Sequence, residues 1–332
     1  MMPLSRRDLL KLGAGAGASM IAAHAPLAAI APDAPPPARA NGAPQENLIT
    51  KAIPSTGERL PVIGLGSAQT FNLRQGDTDY AEAQEVVRLF RDLGGKVVDT
   101  APTYGRSERF LGDTVKQFGI SDDLFIATKV NVGSAGKEAA DAQMRNSLDV
   151  FGRSTCDLIQ VWNLGGSIAR LSAATLNEHM EVLQEWKTAG RIRYLGITTS
   201  RDPQYEDTER AMRDYTLDFV QLDYSIGDRI PEQRLLPLAR ERGIAVLANR
   251  PFTTGNLFGR VAGKSLPPWT TDFDCTSWAQ FFLKFIVSHP AVTCAIPATS
   301  DPGHLRDNMG ACLGRLPDQA MRQRMVEHFA TL

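Results

Sequence analysis

Between about residues 60 and 310, short apolar runs alternate with helical patterns eight times, and this alternation constrains the fold most. The runs are VIGLG (62–66), KVVDT (96–100), LFIATKV (124–130), DLIQVW (157–162), IRYLGITT (192–199), DFVQLDYS (218–225), IAVLANRPF (244–252) and VTCAIPAT (292–299). Runs nearly continuous in Val, Ile and Leu are buried on both faces, which implies a parallel sheet. The segments between them carry apolar residues three and four apart, such as Val86, Leu89 and Phe90, or Leu176, Met180 and Leu183. Gly190 and Gly243 stand just before runs, where a helix ends in a left-handed residue. Eight strand–helix units in about 270 residues predict a closed (β/α)8 TIM barrel, an α/β fold. An open doubly wound sheet is the alternative, but no GxGxxG follows the first run: GLGS lacks the third glycine, and LGAGAGAS (12–19) follows no strand. LITKAIPSTGERLP (48–61) reads as an N-terminal β-hairpin turning at STGE and plugging the barrel's bottom. Two extra C-terminal helices are expected over 302–313 and 317–332.

Ahead of this unit, SRRDLLK (5–11) precedes a stretch from Leu12 to Ala31 without Asp, Glu, Lys or Arg. The pair resembles a twin-arginine export signal, with Leu9 where Phe is usual. The reading is therefore a signal at 1–31, a Pro/Ala-rich linker at 32–47 and the barrel at 48–332, with the twin-arginine machinery as partner and a periplasmic or otherwise exported location. A membrane anchor is the alternative, although so much Ala and Gly together with Pro26 makes a poor spanning helix. Such cargo crosses the membrane folded, so the barrel is expected to hold a ligand tightly or to fold fast.

A formal net charge of -1 gives no reason to expect nucleic acid or an anionic membrane as partner. Five His and four Cys are scattered without metal-ligand spacing, so no metal is expected. The cysteines read as small buried hydrophobes, Cys294 in AVTCAIPA most clearly.

Barrels of this kind build their sites where strands end. Those ends offer Asp99, then Tyr104 a short turn later, and Lys129. Separately they read as a rim ion pair and a half-buried tyrosine. Together they form a proton donor: a phenol with pKa near ~10, a lysine that favours its phenolate, and a carboxylate that orients the lysine.

From VVDTAPTYGRSERFLG (97–112), ATKV (127–130), GRIRYLGIT (190–198) and IPATSDPGHLRDN (296–308), taken in order, the chain resembles the aldo-keto reductases. The resemblance implies an NAD(P)-dependent oxidoreductase acting on a small-molecule carbonyl or alcohol, with Tyr104 as general acid supported by Lys129 and Asp99. It also implies a histidine where QVWN places Trp162, whose indole has one N–H donor and no useful basicity. Trp162 is read as a pocket wall with Phe71 and Trp269, in a pocket that lacks the usual tryptophan at Ala68. By the same resemblance Thr198, Thr199, Gln221, Asn249, Thr299, His304, Asp307 and Asn308 would contact the cofactor. The family resemblance favours NADP, yet Ala298 and His304 replace the Lys and Arg that often hold its 2′-phosphate, so NAD stays open. Arg306 or Lys264 could compensate. Two other readings stand beside carbonyl reduction: redox-neutral or C=C chemistry with a retained cofactor, and a non-catalytic ligand-binding barrel.

Overall fold

The computed structural model describes residues 47–164, 172–200 and 205–332. The export-signal reading lies outside these residues, as does the linker except for Asn47.

The chain opens with an antiparallel hairpin, β1 (Thr50–Ala52) and β2 (Arg59–Pro61). The barrel strands follow in chain order: β3 (Leu65–Gly66), β4 (Val97–Asp99), β5 (Phe125–Val130), β6 (Cys156–Val161), β7 (Ile192–Thr198), β8 (Phe219–Asp223), β9 (Ala245–Asn249) and β10 (Val292–Ala295). Each pairs in parallel with the next. The ends meet through parallel bridges Ile63–Ala295 and Gly66–Ala298, with Gly64 N–H donating to the Ala295 carbonyl at 2.8 Å. The sheet is therefore a closed barrel, and the open-sheet alternative falls.

The helices α1 (Tyr80–Asp92), α2 (Ser107–Phe118), α3 (Gly136–Phe151), α4 (Ala173–Thr188), α5 (Tyr205–Asp214), α6 (Leu235–Arg242), α7 (Asn256–Val261) and α8 (Trp278–Val287) fill the connections. After the barrel come α9 (Pro302–Gly310) and α10 (Gln319–Ala330). Gly190 and Gly243 take φ of 70° and 66° at the ends of α4 and α6, a conformation that suits a residue without Cβ.

Two cores result, because alternate strand residues face opposite sides. Val97, Phe125, Ala127, Leu158, Tyr194, Phe219, Leu247 and Cys294 fill the barrel interior, together with Ile53 and Leu60 of the hairpin region. The hairpin thus closes the bottom, as expected. Glu58 holds it there by accepting from Tyr194 Oη at 2.6 Å and pairing with Arg193, which also reaches Asp157 at 2.7 Å. The other core lies between sheet and helices.

The C-terminal extension is fastened by polar groups reaching inward. Arg322 of α10 donates to Ser288 Oγ at 2.9 Å and Tyr224 Oη at 2.7 Å, and pairs with Glu232 at 3.0 Å. Lys284 of α8 is fully buried and donates to the carbonyls of Phe273, Leu313 and Arg315 at 2.8–2.9 Å. Burial lowers its pKa.

Candidate active site

The floor of the site is set by strand alternation. Val97, Phe125, Ala127, Leu158 and Phe219 point into the barrel, so two residues on from Val97, Ala127, Leu158 and Phe219 the same face carries Asp99, Lys129, Gln160 and Gln221. All four are buried near the C-terminal ends of their strands.

The Lys129 ammonium donates to Asp99 Oδ1 and Oδ2 at 2.8 and 2.9 Å and to the Thr100 carbonyl at 2.8 Å. Burial by itself lowers its pKa; the Asp99 carboxylate and the nearby Tyr104 oxygen outweigh burial and hold the pKa above the usual lysine value. Gln221 Nε2 donates to Asp99 Oδ1 at 2.8 Å across 122 positions of sequence. The carboxylate is thus held from two sides.

Tyr104 reaches this pair from the loop after β4. Its backbone N–H donates to the Ala101 carbonyl at 3.1 Å, and the next residue, Gly105, has φ of 61°. A Cβ at Gly105 would lie 2.5 Å from Asn72 Oδ1, the atom that accepts from Arg106 N at 2.9 Å. Glycine is required there by both conformation and space. The Lys129 Nζ sits 4.9 Å from the Tyr104 ring centroid.

Trp162 follows β6, and its backbone N–H donates to the Val130 carbonyl at 3.0 Å. The Lys129 ammonium and, less strongly, the Trp162 indole favour the Tyr104 phenolate. The lowered phenol pKa expected from Lys129 nevertheless does not prevail. Burial is the largest influence and Asp99 adds to it, so the Tyr104 pKa ends above the ordinary value. At neutral pH the phenol therefore keeps its proton.

The remaining expected residues separate into groups. Phe71 is fully buried and stacks on Phe110 at 5.1 Å, so it lines no surface open to a substrate. Trp269 packs on Phe273, Phe281 and His328, with the Arg324 guanidinium 4.6 Å from its ring centroid. Of the three expected walls, Trp162 is the one that meets Tyr104. Thr198 Oγ1 accepts from Asn163 N at 2.6 Å, Thr199 is buried beside it, and Gln221 is committed to Asp99. Asn249, at the end of β9, has a buried Oδ1 with no hydrogen-bond partner. Thr299 Oγ1 accepts from Asp301 N at 3.0 Å, and Asp301 caps α9 by accepting from His304 N at 2.8 Å. Asp307 accepts from Gln280 Nε2 at 2.8 Å, and Asn308 is buried.

Several residues of this mouth were not among the site residues that the sequence put forward. Arg250 pairs with the buried Asp223 at 2.6 Å. Its loop holds three non-glycine residues in the left-handed region: Arg250, Thr253 and Thr254, with φ of 48°, 49° and 57°. Asn163 is another, with φ of 52°, and its Oδ1 accepts from Ser200 N at 3.1 Å. Gln160 is fully buried with both amide atoms lacking partners. Strained backbone and orphaned polar groups concentrate at functional mouths, but nothing in residue identity announces them.

Among the described residues no three of His, Cys, Asp and Glu converge into a metal-binding group. The four cysteines are buried free thiols, and burial raises the pKa of Cys156, Cys275 and Cys312 to about 12, which keeps them from acting as nucleophiles.

Comparison with known proteins agrees with this fold. The family model described as the Aldo/keto reductase family matches residues 62–325. Aldo-keto reductase YhdN of Bacillus subtilis is 29% identical over 221 residues, covering 63% of this chain and 64% of that one. The NADH-specific methylglyoxal reductase of Escherichia coli is 26% identical over 209 residues, covering 58% and 63%. Each match thus spans less than two thirds of the relative's length. An aldo/keto reductase from Klebsiella pneumoniae, solved in complex with NADP and acetate, superposes with a TM-score of 0.66 at 20% identity, covering 82% of this chain and 93% of that one. With a closed parallel barrel, the tyrosine–lysine–aspartate cluster at its mouth and a family match across most of its length, the chain belongs to the aldo/keto reductase family.

Proposed function

We propose that the chain is a nicotinamide-nucleotide-dependent reductase of small carbonyl compounds, able to run in reverse on alcohols. The observation that carries this reading is Tyr104 set against a lysine that is itself locked on Asp99. A bound nicotinamide would supply hydride to the carbonyl carbon. The chain's own task is to hold the carbonyl oxygen near Tyr104 and give it a proton. Lys129 and the Trp162 indole N–H stabilise the phenolate left behind, while Asp99 and Gln221 keep Lys129 charged and aimed.

The mouth offers groups that suit a carboxamide-bearing nucleotide. Asn249 Oδ1 is a buried acceptor without a partner, which an amide N–H would satisfy. Near Ala298 and His304, where the family resemblance expects a 2′-phosphate, Asp301 already takes the His304 N–H; that bond and its neighbour at Gly303 lower its carboxyl pKa. A resident negative charge there opposes a second one. NAD is therefore favoured over NADP in this chain. Purified protein tested on a panel of aldehydes and ketones should oxidise NADH with a higher kcat/KM than NADPH. A protein that neither turns over the panel nor quenches its tryptophan fluorescence with either nucleotide would refute the reading.

Trp162 gives the reaction a distinctive pH dependence. Indole carries no titratable proton near neutrality, so the profile of kcat/KM should lack an imidazole inflection. Trp162→His should introduce one near about pH 6.5. Identical profiles for the two proteins between about pH 5 and 9 would remove Trp162 from the reacting centre.

Export rests on the paired arginines of SRRDLLK and belongs to the same proposal. Cell fractionation of the full chain against an Arg6→Lys, Arg7→Lys variant tests it, with retention of the variant in the cytoplasm expected. No helix among the described residues is long and apolar enough to cross a membrane.

A further inference from the structure

The barrel's closed end holds a cavity of about 370 Å³ between the hairpin, the end of α6 and the turn before β10. Lys51, Arg59 and Arg240 are its charged lining, and no carboxylate lines it. The Lys51 ammonium donates to the carbonyls of His289 and Val292, both at 2.7 Å, and has a third N–H to give. Arg59 spends Nε and one terminal nitrogen on Thr50, at 2.8 and 2.6 Å, leaving Nη1. Neither Arg59 nor Arg240 forms an ion pair within the described residues, whereas Arg88, Arg109, Arg193 and Arg315 do. Carbonyl dipoles fix Lys51 in place, but they cannot neutralise three full charges. Burial, with the Arg322 guanidinium close behind, lowers the Lys51 pKa to about 8, which is the behaviour of a cation without a counter-ion.

We propose that this cavity is an anion site, at the end of the barrel opposite Tyr104, for a small oligophosphate. A neutral or cationic occupant would leave the three positive charges that line the cavity without a counter-charge. A compact oligophosphate offers several anionic oxygens to one ammonium and two guanidiniums, the pairing for which guanidinium geometry is suited. The mouth and the closed end face opposite directions, so binding here does not exclude substrate or nucleotide.

The test is titration calorimetry of the full chain with inorganic pyrophosphate at low ionic strength, with and without saturating NADH. One equivalent should bind, unaffected by NADH, and Arg59→Gln with Arg240→Gln should weaken it at least about tenfold. Thermal melting checks that the double variant is folded. If it is not, Arg240→Glu alone, on the exposed last turn of α6, should abolish the same binding. Equal affinity in a folded variant, displacement of pyrophosphate by NADH, or no binding to the native chain would each overturn the proposal.

Discussion

Tyr104→Phe should lower kcat/KM for carbonyl reduction by about 10²- to 10⁴-fold, the range carried by a positioned general acid. The substitution removes one oxygen and keeps the ring, so the contact with Lys129 at 4.9 Å survives and the fold should be undisturbed. Because burial raises the Tyr104 pKa, the native phenol is protonated across neutral pH, and reduction should slow only as pH rises through that raised value. Phenylalanine has no proton to give, so the variant should lose this limb of the profile. Nucleotide affinity should stay near native, since the proposed role gives the lost atom to the substrate. Steady-state kinetics on the best carbonyl of the panel, with NADH binding followed by fluorescence, separates the two effects. Unchanged turnover would place the chemistry elsewhere.

Lys129→Met should cost both activity and stability. Lys129 and Asp99 are nearly fully buried, with side-chain exposures of 1% and 5%, so their pairing is little weakened by solvent. Removing the cation leaves a buried carboxylate with the Gln221 N–H as its remaining side-chain donor and strands the Thr100 carbonyl. Breaking a buried pair in this way costs about 3–5 kcal/mol. The sign of the pH dependence follows from the lysine. Its pKa is raised in the fold, so its contribution is complete below the unfolded value near ~10.4 and wanes only as pH climbs through the folded one. The deficit should therefore be undiminished between about pH 6 and 9. Urea melts of native and variant chains measure it. A loss below about 1 kcal/mol, the size typical of an exposed pair, would mean that the cluster is wetter than its burial indicates. Reductase activity should fall as well, because the phenolate loses its nearest cation.

The two variants probe residues that the sequence presented openly. Asp99, Tyr104 and Lys129 lie at ends of apolar runs, and strand period and glycine placement are local properties that survive in one dimension. Trp162 was equally visible as a departure. Its influence on Tyr104 was not, because that depends on two loops meeting above the sheet. The surroundings of Phe71 and Trp269 were hidden for a related reason: an aromatic residue near a strand end can turn toward helices as readily as toward the mouth. Phe71 turned to Phe110, and Trp269 to α8 and α10.

The sequence alone determined the barrel, its hairpin plug, its terminal helices and the family, since each rests on periodicity, chain order or a contiguous motif. Tertiary structure decided the rest. It brought Gln221 to Asp99 across 122 positions, drew Arg250 onto Asp223 through a left-handed loop, and gathered three cations at the closed end. It also turned the expected lowering of the Tyr104 pKa into a rise. Desolvation and charge depend on what surrounds a group in space, and those surroundings exist only once the sheet has closed.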